Sequence, residues 1–255
     1  MPRNFNMATQ VQIHVVSKEN NTIHHVTTSD TSGLPELASG QVRVRTFVIA
    51  LTANNLTYSR LGDLMHWWDA FKLPANLPEP YNDSSKFGIV PTWGYGEVLE
   101  SKVDGIHSGT LVWGYWPPNS LPVDLQLGPS DLEGHWTDLT EHRQGMMSYY
   151  HRYQIADPSL RIAQLSSRDI EMMAWETVYK AVWVCGFMIN RYNFGSPPIH
   201  PFGIDDGEWT AEDADISEAV VISLSASGKT ARAFADAAFH DRASGTEPLL
   251  SLIHI

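Results

Sequence analysis

The segment VVISLSASGKTARAFADAAF, residues 220–239, constrains the fold more than any other part of the sequence. It begins with a short β-branched run, continues through a turn of small residues, and ends in an alanine-rich stretch. This order predicts a buried strand, a tight turn and a helix. A helix that begins at such a turn directs free backbone N–H groups and the positive end of its dipole toward the turn, which favours bound phosphate.

The turn supplies five candidate phosphate-binding residues: Ser225, Ser227, Gly228, Lys229 and Thr230. Three interpretations are open. A phosphate-loop NTPase would place terminal phosphates and magnesium on the Lys-Thr pair, although Ser223 stands where that motif has its first glycine. A dinucleotide-binding fold would hold a pyrophosphate at the same turn, with serines in place of glycines. An ordinary structural βα unit would bind nothing there.

Composition excludes several classes of partner. The chain has 17 Lys+Arg against 29 Asp+Glu, a net charge of −12, which argues against nucleic acid and anionic lipid. Cys185 is the one cysteine, so an internal disulfide and a cysteine-rich zinc site are excluded and a reducing compartment is favoured. No apolar run approaches the ~20 residues of a membrane span. We therefore expect a cytoplasmic protein with no metal, membrane or nucleic-acid partner.

The N-terminal half predicts a β-rich body. VQIHVVS and TIHHVTT alternate in polarity and predict a hairpin, and GQVRVRTFVIALT predicts a strand that is amphipathic at its start and buried at its end. LGDLMHWWDAF is a short helix candidate that prolines terminate. Short strands separated by glycine and proline indicate a compact β-barrel-like domain, namely GYGEVLESK, GTLVWGYWP and LPVDLQLGP.

The longest helical pattern follows this body, with Ser167 as its predicted N-cap. After it comes a segment rich in proline, glycine and acidic residues, which predicts a solvated connection. The predicted organisation is a β-rich domain at residues 1–165, a linking helix at 166–193, an acidic loop at 194–218 and a first βα unit at 219–255.

Several segments together resemble one family: LTANNLTYSRLGD, HWWDAF, WGYGEVLES, LVWGYWPP, MMSYYHRYQIADP and VVISLSASGKTARAFA. They look like pieces of an uncharacterised domain-of-unknown-function family of medium-chain dehydrogenase/reductase-like proteins from bacteria and fungi. The resemblance covers residues 42–239, and TANNLTY and SASGKTA are its most specific parts. It implies an α/β and β-rich fold, in which a GroES-like β-barrel-type domain is followed by the start of a Rossmann-like domain.

The resemblance also implies a function. It suggests a reductase that uses NADPH or NADH to reduce a carbonyl or activated alkene of a small molecule, and the absence of cysteine from the β-rich body favours a zinc-free one. The turn would hold the cofactor, while Asn55 and Tyr58 would lie near the substrate, where a phenol can donate a hydrogen bond to a carbonyl. Alternatively, the asparagines form a turn and Tyr58 packs. A non-catalytic binding or scaffold module with this fold and the NTPase are the competing functions.

The predicted Rossmann-like domain is incomplete. A mononucleotide-binding half runs βαβαβ, whereas only the strand candidate PLLSL follows the helix. The tail LSLIHI looks like translated sequencing-adapter sequence, so we expect a truncated gene product. An unfinished parallel sheet would expose an apolar edge, which favours aggregation or a homodimer.

Overall fold

The computed structural model describes residues 10–31, 34–157, 159–203 and 207–252. The chain divides into two compact units, Met1–Thr177 and Val178–Ile255. The described strands of the first unit are β1 (Gln10–Ser17), β2 (His24–Asp30), β3 (Gln41–Ala50), β4 (Phe87–Gly88), β5 (Thr92–Ser101), β6 (Leu111–Trp116), β7 (Val123–Pro129), β8 (His135–Asp138) and β9 (Arg152–Ile155). Its helical segments are α1 (Ala53–Arg60) and the 3-10 turns Trp67–Asp69, Glu141–Arg143, Ser148–His151 and Ile162–Gln164.

Six of these strands form a closed antiparallel barrel in the order β3-β5-β6-β9-β8-β7. β3 pairs with β5 along one edge and with β7 along the other, where Gln41 lies opposite Gln126, and this second pairing closes the barrel. The barrel core is apolar and includes Val42, Val44 and Trp116. The predicted β-barrel-like body is therefore confirmed, because alternate residues of each strand reach a shared interior.

The predicted N-terminal hairpin is also confirmed. β1 and β2 pair antiparallel, with Val16 opposite His24, and β1 pairs on its other edge with β4. Ile13 and Val15 are fully buried, whereas His14 between them is only half-buried. The alternation in the sequence thus gives the two faces that a half-buried hairpin requires.

Three local predictions need correction. His66 has a left-handed backbone (φ 58°), which ends any right-handed helix there, so the expected helix in LGDLMHWWDAF is reduced to one 3-10 turn. Near the end of β3, which was expected to be buried, Phe47, Val48 and Ile49 are half-buried and Ala50 is buried. Ser166, not Ser167, caps the long helix: its hydroxyl accepts from the Asp169 N–H (3.2 Å), and the Asp169 carboxylate accepts from the Ser166 N–H (2.8 Å).

That long helix, α2 (Ser167–Met188), begins in the first unit and ends in the second. The second unit continues with a π-helical turn at Ile189–Asn193 and with α3 (Ala211–Ala214), β10 (Val220–Ser223), α4 (Lys229–His240) and β11 (Leu249–Leu252). None of the helices among the described residues combines the length and apolar character that a membrane crossing requires.

β10 and β11 form a two-stranded parallel sheet, with Val220 opposite Leu249. The predicted βα unit is therefore a βαβ unit, and the strand candidate PLLSL is β11. The prediction that β10 is buried is wrong, because Val220 and Ile222 are 60% and 57% exposed. Among the described residues, this sheet consists of β10 and β11 alone, and nothing covers the face of β10 that carries Val220 and Ile222.

Close contacts hold α4 in place within the second unit. A side chain at Gly186 would put its Cβ atom 2.6 Å from the Cβ atom of Ala233, so the end of α2 and α4 approach at a distance that only glycine permits. Asn190, in the π-helical turn, is buried and donates from its amide to the Ala237 carbonyl (3.1 Å). Arg242, just after α4, donates to the Phe194 carbonyl (2.9 Å). These contacts fix α4 against the end of α2 and the π-helical turn that follows it.

Candidate functional site

The candidate phosphate-binding turn lies between β10 and α4. Gly228 is the N-cap of α4 in an extended conformation (φ −64°, ψ 142°), and its N–H donates to the Ser225 carbonyl at 2.8 Å, which closes the turn. The first N–H groups of a helix have no intrahelical acceptor, and a glycine N-cap has no side chain to accept from them. The N–H groups of Thr230 and Ala231 therefore lie where an anion can accept from them.

Glycine at position 228 avoids two close contacts with Ser225, whereas its backbone angles suit any residue. A Cβ atom there would lie 3.0 Å from the Ser225 carbonyl oxygen and 3.2 Å from its hydroxyl. Both contacts are tighter than ordinary van der Waals packing. The small residue therefore lets the Ser225 side chain approach the start of α4.

A groove of about 590 Å³ opens at this turn, at the carboxyl end of β10. Four of the five predicted residues line it: Ser225, Gly228, Lys229 and Thr230. Ser227 is exposed and does not line the groove. The rest of the wall is mostly apolar and consists of Ile189, Phe194, Val221, Ile222, Ser223, Ala231 and Phe234. An apolar wall with a few convergent polar groups is typical of cofactor and small-molecule sites.

Lys229 supplies the positive charge of this groove. It is the first residue of α4 and is half-buried. Within the described part of the chain it forms no salt bridge. Its charge is therefore not neutralised by a carboxylate of those residues.

Asn55 belongs to the first unit and has a structural role on α1. Thr52 caps this helix, and the Asn55 side-chain oxygen accepts from the Thr52 N–H (2.6 Å) in a reciprocal capping box. The Asn55 amide nitrogen donates to the Pro91 carbonyl (2.9 Å). Both ends of the amide are thus used to fix α1 and the start of β5, which agrees with the interpretation of these asparagines as turn residues.

Tyr58, also on α1, is buried in a cluster of aromatic rings that sequence reasoning did not bring together. Its phenol oxygen accepts from the Trp93 indole N–H at 3.1 Å, and this bond does not use the phenol proton. Its ring contacts those of Trp67 and Tyr115 edge-on, with centroids 4.7 and 5.4 Å apart. We define the aromatic cluster as Tyr58, Trp67, Trp93, Trp113, Tyr115, Tyr149 and Tyr150.

Two donors in this cluster are buried without a hydrogen-bond partner among the described residues: the Tyr115 hydroxyl and the Trp67 indole N–H. Burial raises the pKa of Tyr115 well above its usual value, so this phenol stays protonated and able to donate. A buried polar group without a partner costs about 1–3 kcal/mol. Trp68 and Phe71, from the same segment as Trp67, are also buried.

A buried ion pair lies next to the cluster. The side chains of Arg143 and Asp138 are 0% exposed, and Arg143 Nε lies 2.8 Å from Asp138 Oδ2. The angle at the Nε hydrogen does not meet hydrogen-bond geometry, so this contact is an ion pair. Arg143 Nη2 donates to the Tyr153 hydroxyl (2.7 Å), which donates to the Tyr115 carbonyl (2.9 Å). The pair thus anchors the backbone of β6 at the residue that carries the buried phenol.

The predicted site residues therefore form two groups. The structure brings Ser225, Gly228, Lys229 and Thr230 together in the second unit, and it places Asn55 and Tyr58 on one helix of the first unit. Across the described ranges, no three or more His, Cys, Asp or Glu side chains form a group that could hold a metal ion.

Comparison with known proteins gives one result. The sequence model of a family described as "Protein of unknown function (DUF2855)" matches residues 49–255. A search of curated proteins found no match. The matched range includes both α1 with its aromatic cluster and the turn that begins α4.

Proposed function

Because the chain belongs to the family described as "Protein of unknown function (DUF2855)", we propose its function from its own site. We infer a zinc-free, NAD(P)H-dependent oxidoreductase-like protein that reduces a carbonyl or activated alkene of a small molecule. In this proposal the barrel is a GroES-like substrate domain of the medium-chain reductase type, and the βαβ unit begins a Rossmann-like domain. The observation that carries the proposal is the groove at the carboxyl end of β10.

The position of that groove supports a dinucleotide. In open α/β sheets, ligands bind outside the carboxyl ends of the strands, at the turn between the first strand and its helix. The groove has this position in a parallel βαβ unit, and its polar residues are those at the start of α4. The open N–H groups beside Gly228 and the charge of Lys229 fit a pyrophosphate.

The proposal assigns a role to each group. The Ser225 and Thr230 hydroxyls and the first N–H groups of α4 would hold the pyrophosphate, and Lys229 would balance its charge. A bound nicotinamide supplies hydride to the substrate carbon. The Tyr58 phenol would donate to the substrate oxygen as negative charge develops there, while Asn55 would hold α1 in position.

An NTPase is the second candidate, and one observation favours it. Lys229 and Thr230 occupy the first positions of a helix that follows a β-strand, as the Lys-Ser/Thr pair of a phosphate loop does. Ser223, at the end of β10, still stands in place of the first glycine of that motif. The two candidates differ in their need for magnesium, because a phosphate loop binds its nucleotide with Mg²⁺.

We expect the full chain to bind NADPH saturably without Mg²⁺, since the pyrophosphate site consists of N–H groups, hydroxyls and Lys229. The measurement is calorimetric titration with NADPH, NADH and ATP, each with and without Mg²⁺. ATP binding that depends on Mg²⁺ would replace the reductase with the NTPase. If none of the nucleotides binds, the non-catalytic module is the better description.

We expect Tyr58→Phe to lower kcat for reduction of a carbonyl substrate by about 10²–10³-fold with little change in KM, as when one oxyanion donor is removed. The measurement is steady-state oxidation of NADPH. The matched control is Trp93→Phe, which removes the indole donor to Tyr58 and leaves the phenol in place. Turnover that survives Tyr58→Phe unchanged would assign this residue to packing.

A further inference from the structure

We propose that His14 and His24, on the two strands of the N-terminal hairpin, bind a divalent transition-metal ion between their imidazole rings. His14 lies on β1 and His24 on β2, and their Nε2 and Nδ1 atoms are 3.3 Å apart. His24 lies opposite Val16, whereas His14 lies opposite Val26, so the two histidines are diagonal neighbours on one face of the hairpin.

The two nitrogens have the separation of a tetrahedral chelate. Two Zn–N bonds of about 2.0–2.1 Å that meet at a tetrahedral angle place their nitrogens about 3.3–3.4 Å apart. The observed 3.3 Å matches this span. An octahedral ion, whose ligands meet at a right angle, would require a shorter separation.

The ring positions agree with the same geometry. The ring centroids are 5.2 Å apart and the ring planes are inclined at 59°. In a collinear N–H···N hydrogen bond, each ring centroid would lie directly behind its nitrogen, one ring radius away. The distance between the two centroids would then be longer than the observed one. We consider the line that runs from each ring centroid through its facing nitrogen. If the two lines are coplanar, nitrogens 3.3 Å apart and centroids 5.2 Å apart make these lines meet at close to the tetrahedral angle.

The chemistry of the pair also suits a metal ion. A neutral imidazole is the form that binds a metal ion. Zinc, copper and nickel all accept imidazole ligands. Water would complete the coordination, since the described residues bring no third His, Cys, Asp or Glu to these two.

This site is independent of the proposed reductase. The hairpin precedes residue 49, where the family match begins, and it shares no residue with the groove at α4. A bound ion would connect β1 to β2 across the hairpin. It would therefore stabilise the folded hairpin, by an amount that grows with the logarithm of its concentration over its Kd.

The test is calorimetric titration of the full chain with Zn²⁺. Cys185 is replaced by serine throughout, because this exposed thiol would itself bind zinc. We expect one ion per chain, with affinity reduced roughly tenfold or more by His14→Ala and by His24→Ala, since losing a ligand costs at least as much as losing its outer-shell partner. We also expect the imidazole ¹⁵N resonances of His14 and His24 to shift on binding.

The matched control is His25→Ala. His25 is the next residue on β2, but it stacks on Tyr81 with ring centroids 4.5 Å apart and planes at 6°, away from the proposed pair. We expect this variant to bind Zn²⁺ as the parent does. If His25→Ala weakens binding as much as His24→Ala, or if the His14 and His24 resonances do not move, the pair is only a hydrogen bond between histidines and the proposal fails.

Discussion

Replacing Arg143 with methionine is expected to lower the free energy of unfolding of the barrel by about 3–5 kcal/mol, because it leaves the Asp138 carboxylate buried without its counter-ion. Both side chains are 0% exposed, so water cannot replace the lost guanidinium. The variant also removes the donor to the Tyr153 hydroxyl and the cation over the Phe71 ring, which lies 4.7 Å from the guanidinium carbon. The measurement is urea unfolding followed by tryptophan fluorescence, since Trp116 is fully buried in the barrel.

Two further variants distinguish the cost of leaving a buried charge unpaired from the cost of losing any arginine side chain. Arg143→Met combined with Asp138→Asn removes both charges and keeps an oxygen for the Thr140 N–H, so we expect it to recover part of the loss. Arg45→Met breaks the 2.7 Å contact with Glu97, in which the Arg45 side chain is 42% exposed, and we expect it to lower the free energy of unfolding by less than about 1 kcal/mol. Equal losses for Arg143→Met and Arg45→Met would show that burial of the first pair has no special cost.

Lys229→Ala is expected to weaken NADPH binding by roughly 10- to 100-fold, since a hydrogen bond to a charged group contributes about 1.5–3 kcal/mol. Lys229→Arg keeps the charge and should retain most of the affinity. Arg232→Ala is the matched control, because Arg232 is exposed one turn along α4 and does not line the groove. The measurement is calorimetric titration at two salt concentrations, and the difference between the variants should shrink at high salt.

Two results would contradict this role of Lys229. If Lys229→Ala and Arg232→Ala lose the same affinity, binding responds to net charge rather than to a site. If Lys229→Ala binds NADPH as the parent does, the dinucleotide does not occupy the turn. Circular dichroism of each variant shows whether α4 is retained, which is expected because alanine favours the helix.

Local pattern in the sequence was enough to predict several elements. Alternating polarity predicted the hairpin around His14, and the small-residue turn followed by an alanine-rich stretch predicted β10 and α4. These signals depend only on neighbouring residues. The prediction that β10 is buried failed because burial depends on what covers a strand, which Val220 and Ile222 do not encode.

The other features depend on contacts between distant segments. The cluster around Tyr58 combines rings from α1, β5, β6 and the turn before β9, and no spacing in the sequence relates them. The Arg143–Asp138 pair was missed because charged residues are almost always exposed. The helix predicted across LGDLMHWWDAF is interrupted at His66, because this residue has a left-handed backbone. Position 66 is neither a glycine nor a proline, so the sequence gives no sign of the interruption there.

The closure of the barrel has a consequence for synthesis of the chain. Gln41 on β3 pairs with Gln126 on β7, so β3 emerges from the ribosome long before its second partner. At about 5–20 residues per second, that delay lasts several seconds, during which Val42 and Val44 have an unpaired strand edge beside them. Slowing translation between β3 and β7 should therefore increase capture of the nascent chain by chaperones, while slowing it after β9 should not.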